Sequence, residues 1–213
     1  MSWDLDHHGD LPYRLHLPAG YSPQTTRYPL VVYLHGSGER GTDTTSHLKN
    51  GVDTLESWPV IAIAPQCPPT DTFGGSWYGG ESVTQKKVIS LIRDLSTRRS
   101  VDPDRISLIG YSMGAIGLWD ILLRARELFC AAVPIAGDLV PETSLALKGF
   151  PIWAFHGELD KLVSNVASRK VAELMKTRDT AFRYTEFEGV GHDAWRGAFA
   201  HPDLQRWLLA QRR

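Results

Sequence analysis

Two cysteines in 213 residues are too few for a disulfide framework. Cys67 follows one strand-like run and Cys130 opens another, so both read as buried thiols, which suits a reducing compartment. Acidic and basic residues nearly cancel, leaving a net charge of −1. A nucleic-acid surface would need a basic excess, and none is present. No apolar run approaches the roughly 20 residues of a membrane span. The stretch Met1 to His8 is polar and acidic rather than charged-then-apolar, so it lacks the build of a secretory leader. A cytoplasmic location is therefore expected, with export of a processed form left open. The adjacent His7 and His8 have no further spaced ligands, so neither a metal nor an organic cofactor is expected. No repeat, low-complexity tract or linker divides the chain. The expectation is one domain over residues 1–213, with residues 1–10 as a loose N-terminal lead-in, in a monomer or small homo-oligomer.

What is present is an alternation of strand and helix patterns. Tyr13 to Leu17 alternates and reads as an edge strand. Leu30 to Leu34 and Val60 to Ala64 are continuous apolar runs, the pattern of strands covered on both faces. Ile106 to Ile109, Ala131 to Ala136, Ile152 to Phe155 and Phe182 to Phe187 complete the strands, and Asp102 to Arg105 reads as a turn. Val88, Leu91, Ile92 and Leu95 recur at helical spacing, with Ser82 as a plausible N-cap. Met113 to Leu128, Ser164 to Lys176 and Leu204 to Ala210 are further helices, Leu48 to Ser57 holds a short one, and Gln66 to Gly80 is a long loop. This alternation predicts an α/β class: a mostly parallel sheet with helices on both faces and no lid domain. In such a sheet a ligand binds beyond the C-terminal ends of the strands.

One stretch dominates the chemistry. Gly110-Tyr-Ser112-Met-Gly114 sits between a strand pattern and a helix pattern, the context of a nucleophile elbow. The turn is so sharp that a Cβ at Gly110 or Gly114 would clash, and it lifts the Ser112 hydroxyl above the sheet. A serine hydroxyl needs a base, and the base needs orienting. His192, in a glycine-rich loop after a strand, is the candidate base. Asp160 is the candidate acid, with Glu158 and Asp138 as rivals. Asp193 adjoins His192 and is badly placed for the far nitrogen of that ring. An oxyanion hole needs two N–H groups; Met113 offers one, and Ser37, in the glycine-rich loop after Leu34, the other. His35 reads as a structural strand-end residue. Trp77, Tyr78 and Trp195 are candidate pocket walls or, equally, anchors. Glu39 is a weaker candidate for substrate contact, with Arg40 beside it.

These segments together resemble the α/β-hydrolase superfamily: Tyr28 to Gly41 with its His-Gly-Ser-Gly-Glu-Arg-Gly, Ala64 to Pro68, Asp102 to Gly114, Pro151 to Gly157 and Gly189 to Trp195. Within it the chain is similar to the small bacterial "predicted peptidase" and carboxylesterase group, related to polyhydroxybutyrate depolymerase-like and feruloyl-esterase-like enzymes. The resemblance implies the triad Ser112, Asp160, His192 and the oxyanion amides of Ser37 and Met113. It also implies a serine carboxylesterase acting on small or short-acyl esters through an acyl-enzyme. A peptidase or amidase, or a binding protein that keeps the fold without turnover, are the alternatives. Ala115-Ile116 departs from the family pattern, which would place a second glycine and often an aromatic there; the departure touches helix packing or a pocket wall. Dienelactone hydrolases resemble the chain in size but use cysteine, and Ser112 counts against that activity.

Overall fold

The computed structural model describes residues 3–69, 76–79, 82–176 and 181–213. Part of the expected long loop, residues 70–75 and 80, lies outside the described residues. The strands in chain order are β1 (Asp4–His8), β2 (Leu11–His16), β3 (Tyr28–Leu34), β4 (Ile61–Pro65), β5 (Val101–Tyr111), β6 (Ala131–Ile135), β7 (Ile152–Gly157) and β8 (Phe182–Phe187). The helices are α1 (Val83–Arg98), α2 (Met113–Ala125), α3 (Val166–Lys176), α4 (Trp195–Ala200) and α5 (Leu204–Leu209).

All eight strands form one sheet in the order β1-β2-β4-β3-β5-β6-β7-β8. The first two pairings, β1 with β2 and β2 with β4, are antiparallel. From β4 through β3 to β8 every pairing is parallel. The apolar runs are continuous because both faces are covered. On β3, Leu30, Val32 and Leu34 join one core, and Val31 and Tyr33 join the other. The first core takes Val88, Leu91, Ile92 and Leu95 of α1, Leu118 and Leu122 of α2, and Val171 of α3. The second takes Ala198 of α4, Leu204 and Leu208 of α5, and Val52 and Leu55 of a 3-10 turn over Val52–Ser57. Ser82 caps α1 as its sequence suggests, its hydroxyl accepting the Gln85 N–H at 3.1 Å.

Four expectations are corrected. Residues 4–8 are not a loose lead-in but strand β1, paired with β2 from Asp4 opposite Leu15 to His8 opposite Leu11. Their polar composition hid the strand, because its side chains are exposed or half-buried while its backbone is bonded. Trp3 anchors that end by burying itself in the second core. It follows that β2 is not an edge strand, since β1 covers it. Asp102 to Arg105 is not a free turn but a register shift inside β5, where pairing with β3 jumps between Tyr28 and Leu30. Asp102 holds that irregularity by accepting from the Asp104 N–H (3.1 Å) and Arg105 Nε (2.8 Å). The region after His192 also turns helical sooner than its pattern indicated, forming α4.

Candidate active site

The parallel strands end at one edge of the sheet, and β3, β5, β7 and β8 each deliver a side chain or loop there. The candidate nucleophile, Ser112, comes from the β5–α2 junction. Ser112 adopts φ 54° and ψ −119°, a region non-glycine residues avoid. Strain of this kind costs on the order of 1–3 kcal/mol and persists only where the surroundings impose it. They do so here. A Cβ on Gly110 would stand 2.3 Å from the Gly114 carbonyl oxygen, and one on Gly114 would stand 1.9 Å from that of Leu34. The next residue shows why the family's second glycine can be replaced. Ala115 fits because Gly137 lies opposite, where an added Cβ would come within 2.4 Å of the Ala115 methyl.

Ser112 Oγ is 2.8 Å from His192 Nε2, and His192 Nδ1 is 2.7 Å from Asp160 Oδ2. Both Ser112 and Asp160 are buried. The other Asp160 oxygen, Oδ1, accepts the N–H groups of Leu162 (2.9 Å) and Val163 (3.0 Å). Burial opposes ionisation of Asp160, but the His192 contact and these two N–H groups outweigh it and hold the carboxyl below the usual carboxylate range. The rival acid Glu158 and the adjacent Asp193 are engaged elsewhere, and the other rival, Asp138, lines a cavity with Ile116 and Leu139. Glu158 Oε2 accepts the Gly189 N–H at 2.9 Å, and Asp193 pairs with Arg196 Nε at 3.1 Å.

Two residues that sequence reasoning did not single out also support the site. Tyr111 donates its hydroxyl to the His192 carbonyl (3.3 Å) and lays its ring beside the imidazole, centroids 5.2 Å apart. Burial, followed by the nearby Glu39 and Asp160 carboxylates, pushes that hydroxyl up to about 12, so it stays protonated as a donor. His156 is wholly buried, with Nε2 3.0 Å from the Val163 carbonyl and 3.3 Å from Asp160 Oδ2. Both neighbours only accept, so Nε2 carries a proton, and Nδ1 meets Ser168 Oγ at 2.9 Å. The signal for His156 was its place four residues before Asp160, but that spacing shows a contact only once the loop is folded.

The loop after β3, which carries the candidate oxyanion amide of Ser37, lies close to Ser112: a Cβ on Gly36 would sit 3.4 Å from Ser112 Cβ. His35 sets the orientation of this loop. Its Nε2 accepts the Cys67 N–H (2.9 Å), so its proton is on Nδ1 and is donated to the Gly36 carbonyl (2.6 Å). Burial drives the His35 pKa down to about 3, in keeping with this neutral tautomer. The Glu39 N–H also reaches the Gly36 carbonyl, at 3.3 Å. In a trans peptide the next N–H points the opposite way from that carbonyl. The Ser37 N–H is thereby turned outward from the His35 side. The Met113 N–H, at the first position of α2, has no acceptor within its own helix.

The remaining candidates divide. Trp77 is fully buried, so it is not an open pocket wall. It packs on Gly117, where a Cβ would be 2.2 Å from its own Cβ, and donates Nε1 to the His35 carbonyl at 2.9 Å. It is an anchor of the loop after β3. Tyr78, next to it, is 40% exposed and lines a cavity. Trp195 packs against the second core beneath Arg196, whose guanidinium lies 4.3 Å from its ring centroid. Glu39 turns its Oε2 inward, buried and without a hydrogen-bond partner among the described residues, and Arg40 reaches Met113 Sδ at 3.0 Å.

The chain has counterparts among known proteins. Residues 20–201 match the phospholipase/carboxylesterase family. The chain belongs to that family. Among solved structures, a thermostable esterase is 30% identical, with a TM-score of 0.85 over 100% of this chain and 64% of that one. The chain thus spans 64% of the length of that esterase. Est1E from Butyrivibrio proteoclasticus shares the fold at 14% identity and a TM-score of 0.70, covering 98% of both chains. So does esterase 2 of Thermogutta terrifontis, in a form phosphorylated by paraoxon, at 17% identity and a TM-score of 0.70, covering 97% of this chain and 90% of that one. Among the described residues, no helix is long and apolar enough to cross a membrane.

Proposed function

We propose that this chain is a serine carboxylesterase for small esters. The observation that carries the reading is the unbroken line from Ser112 Oγ through His192 to Asp160, with bonds of 2.8 and 2.7 Å. Ser112 attacks the ester carbonyl while His192 Nε2 takes the hydroxyl proton. The carbonyl oxygen becomes an oxyanion facing the N–H groups of Ser37 and Met113, which stabilise charge that exists only in the transition state and intermediate. His192 passes its proton to the departing alcohol, and Asp160 stabilises the imidazolium and fixes its tautomer. Water then enters, His192 takes its proton, and the acyl-enzyme is released as the acid. The family supports an ester rather than a peptide substrate, and the paraoxon adduct of the Thermogutta esterase suits a serine nucleophile here too. Two buried cysteines outside any disulfide suit a cytoplasmic setting.

The test is hydrolysis of p-nitrophenyl acetate and butyrate by the protein and by Ser112→Ala. A fall in kcat on the order of 10³-fold or more is expected. Paraoxon should add a diethylphosphoryl mass to the protein and not to the variant. Equal rates for the two proteins and no adduct would remove Ser112 from the mechanism.

A further inference from the structure

β7 reads Ile-Trp-Ala-Phe-His-Gly, and every one of these residues is buried, His156 wholly so. Alternation along the strand puts His156 on the same face as Ile152, whose side chain joins the core under α1, α2 and α3. A leucine would fill that position without the cost of burying a polar ring. The histidine offsets that cost with contacts that lead to the candidate acid.

Its Nε2 faces the Val163 carbonyl (3.0 Å) and Asp160 Oδ2 (3.3 Å). Val163 is itself a holder of the acid, since its N–H is donated to Asp160 Oδ1 at 3.0 Å. One imidazole therefore stands against the carboxylate and also grips the residue that holds the carboxylate's other oxygen. At Nδ1 the ring meets Ser168 Oγ (2.9 Å), in the first turn of α3. With the proton on Nε2, Nδ1 of the neutral ring accepts, and the Ser168 hydroxyl gives it its single hydrogen. The Gly137 carbonyl, 3.5 Å from the same hydroxyl, is the more distant acceptor. Ser168 thus favours the tautomer that turns an N–H toward Asp160.

Asp160 is clasped from two faces of the sheet. His192 comes from a loop whose Val190 packs on the second core, and His156 comes from the face of the first. Asp160 Oδ2 lies between the two rings, 2.7 Å from His192 Nδ1 and 3.3 Å from His156 Nε2. A rotation of the carboxylate that lengthens its bond to His192 also disturbs the His156 contact and the two N–H bonds at Oδ1.

We infer that Ser168 and His156 form a positioning pair for the reaction: the hydroxyl sets the tautomer of His156, and His156 holds Asp160 Oδ2 in line with His192 Nδ1. The inference rests on the esterase reading above and extends its machinery to α3. Both residues are buried, so they act through Asp160 and not on substrate. A misplacement of about 1 Å in such a group costs on the order of 10²-fold in rate. Acylation and deacylation both use the His192 imidazolium, so both slow together. The loss therefore falls on kcat and leaves KM largely as it was.

Paraoxon left to react to completion counts the sites able to react, and p-nitrophenyl butyrate kinetics then give KM and kcat per labelled site. His156→Leu should lower kcat per labelled site by about 10- to 10²-fold, with KM within about two-fold of the original. His156→Gln, whose amide N–H reaches the place of Nε2, should recover most of that loss. Ser168→Ala puts a helix-favouring residue into α3, so folding is spared, and it carries the test if His156→Leu does not fold. It should lower kcat per labelled site by roughly three- to ten-fold, again with KM held. Fewer labelled sites with kcat per site unchanged, in His156→Leu and Ser168→Ala alike, would make both residues merely structural and overturn the pair. So would a His156→Gln protein no faster than His156→Leu. Turnover that survives Ser112→Ala overturns the esterase reading, and the positioning role with it.

Discussion

The ends of β3 and β5 form one side of the site, and the ends of β7 and β8 form the other. On the first side the closest approaches are backbone against backbone, with the His35 and Trp77 side chains bracing the loop from behind. Gly114 has no room for a Cβ beside Leu34, a Cβ on Gly36 would lie 3.4 Å from that of Ser112, and the candidate oxyanion donors are peptide N–H groups. On the second side the fit is made by side chains. Asp160 gathers two backbone N–H groups and the His192 contact, with His156 close by, and Tyr111 reaches across from the end of β5 to steady the His192 loop. A backbone fit is steric and fails all at once. A side-chain network is electrostatic and fails by degrees, with little change in shape.

Asp160→Asn tests that contrast most strongly. The amide is nearly isosteric but disfavours the required His192 tautomer, so kcat should fall by up to about 10⁴-fold while the unfolding midpoint moves little. A large stability loss with modest kinetic loss would break the distinction. Gly114→Ala should do the reverse of a graded change: an added Cβ 1.9 Å from the Leu34 oxygen should cost on the order of 3 kcal/mol or more, read by urea denaturation. A Gly114→Ala protein of unchanged stability would show that the elbow can yield.

The two sides should also respond to acid in different pH windows. On the β3 side, burial lowers the pKa of His35 to about 3 and of His47 to about 4, against an ordinary 6.5. The unfolded chain binds those protons first, so stability should fall as pH drops from 6.5 toward 4. The slope is about 1.4 kcal/mol per pH unit for each histidine. Asp160 works at lower pH: its carboxyl is depressed below 3.8, so its contribution is intact above that value and is lost only as pH falls through the folded pKa. Denaturation midpoints from pH 7 to 4 should decline less steeply in His47→Gln. An unchanged slope would remove the histidines as the cause.

The smallest effect sharpens the account of strain. Ser112 holds φ 54°, which glycine adopts without penalty. Ser112→Gly should therefore be more stable than Ser112→Ala by about 1 kcal/mol, both being inactive. Equal midpoints would mean the elbow stores no strain at this residue.

The parallel sheet was legible because doubly covered strands must be apolar throughout, as Leu30 to Leu34 and Val60 to Ala64 are. The elbow was legible because a steric requirement selects glycine at fixed offsets from Ser112. Both are local constraints, and local constraints leave marks in sequence. β1 was not legible, because an outer strand needs partners for its backbone and not apolar side chains. Trp77 was ambiguous for a related reason: an aromatic between glycines looks the same as a pocket wall or as an anchor. Only its packing on Gly117 and its bond to the His35 carbonyl made it an anchor.

Sequence alone thus determined the fold class and the chain order of the candidate site, since Ser112, Asp160 and His192 each sit in a motif shaped by its own neighbours. Tertiary structure alone decided how those parts are held and what lies beside them. The His156–Asp160 contact, the His35 tautomer and the Ser168–His156 bond join residues from separate segments. Distances between such segments are set by how the strands and helices pack, a property of the folded chain that no single stretch carries.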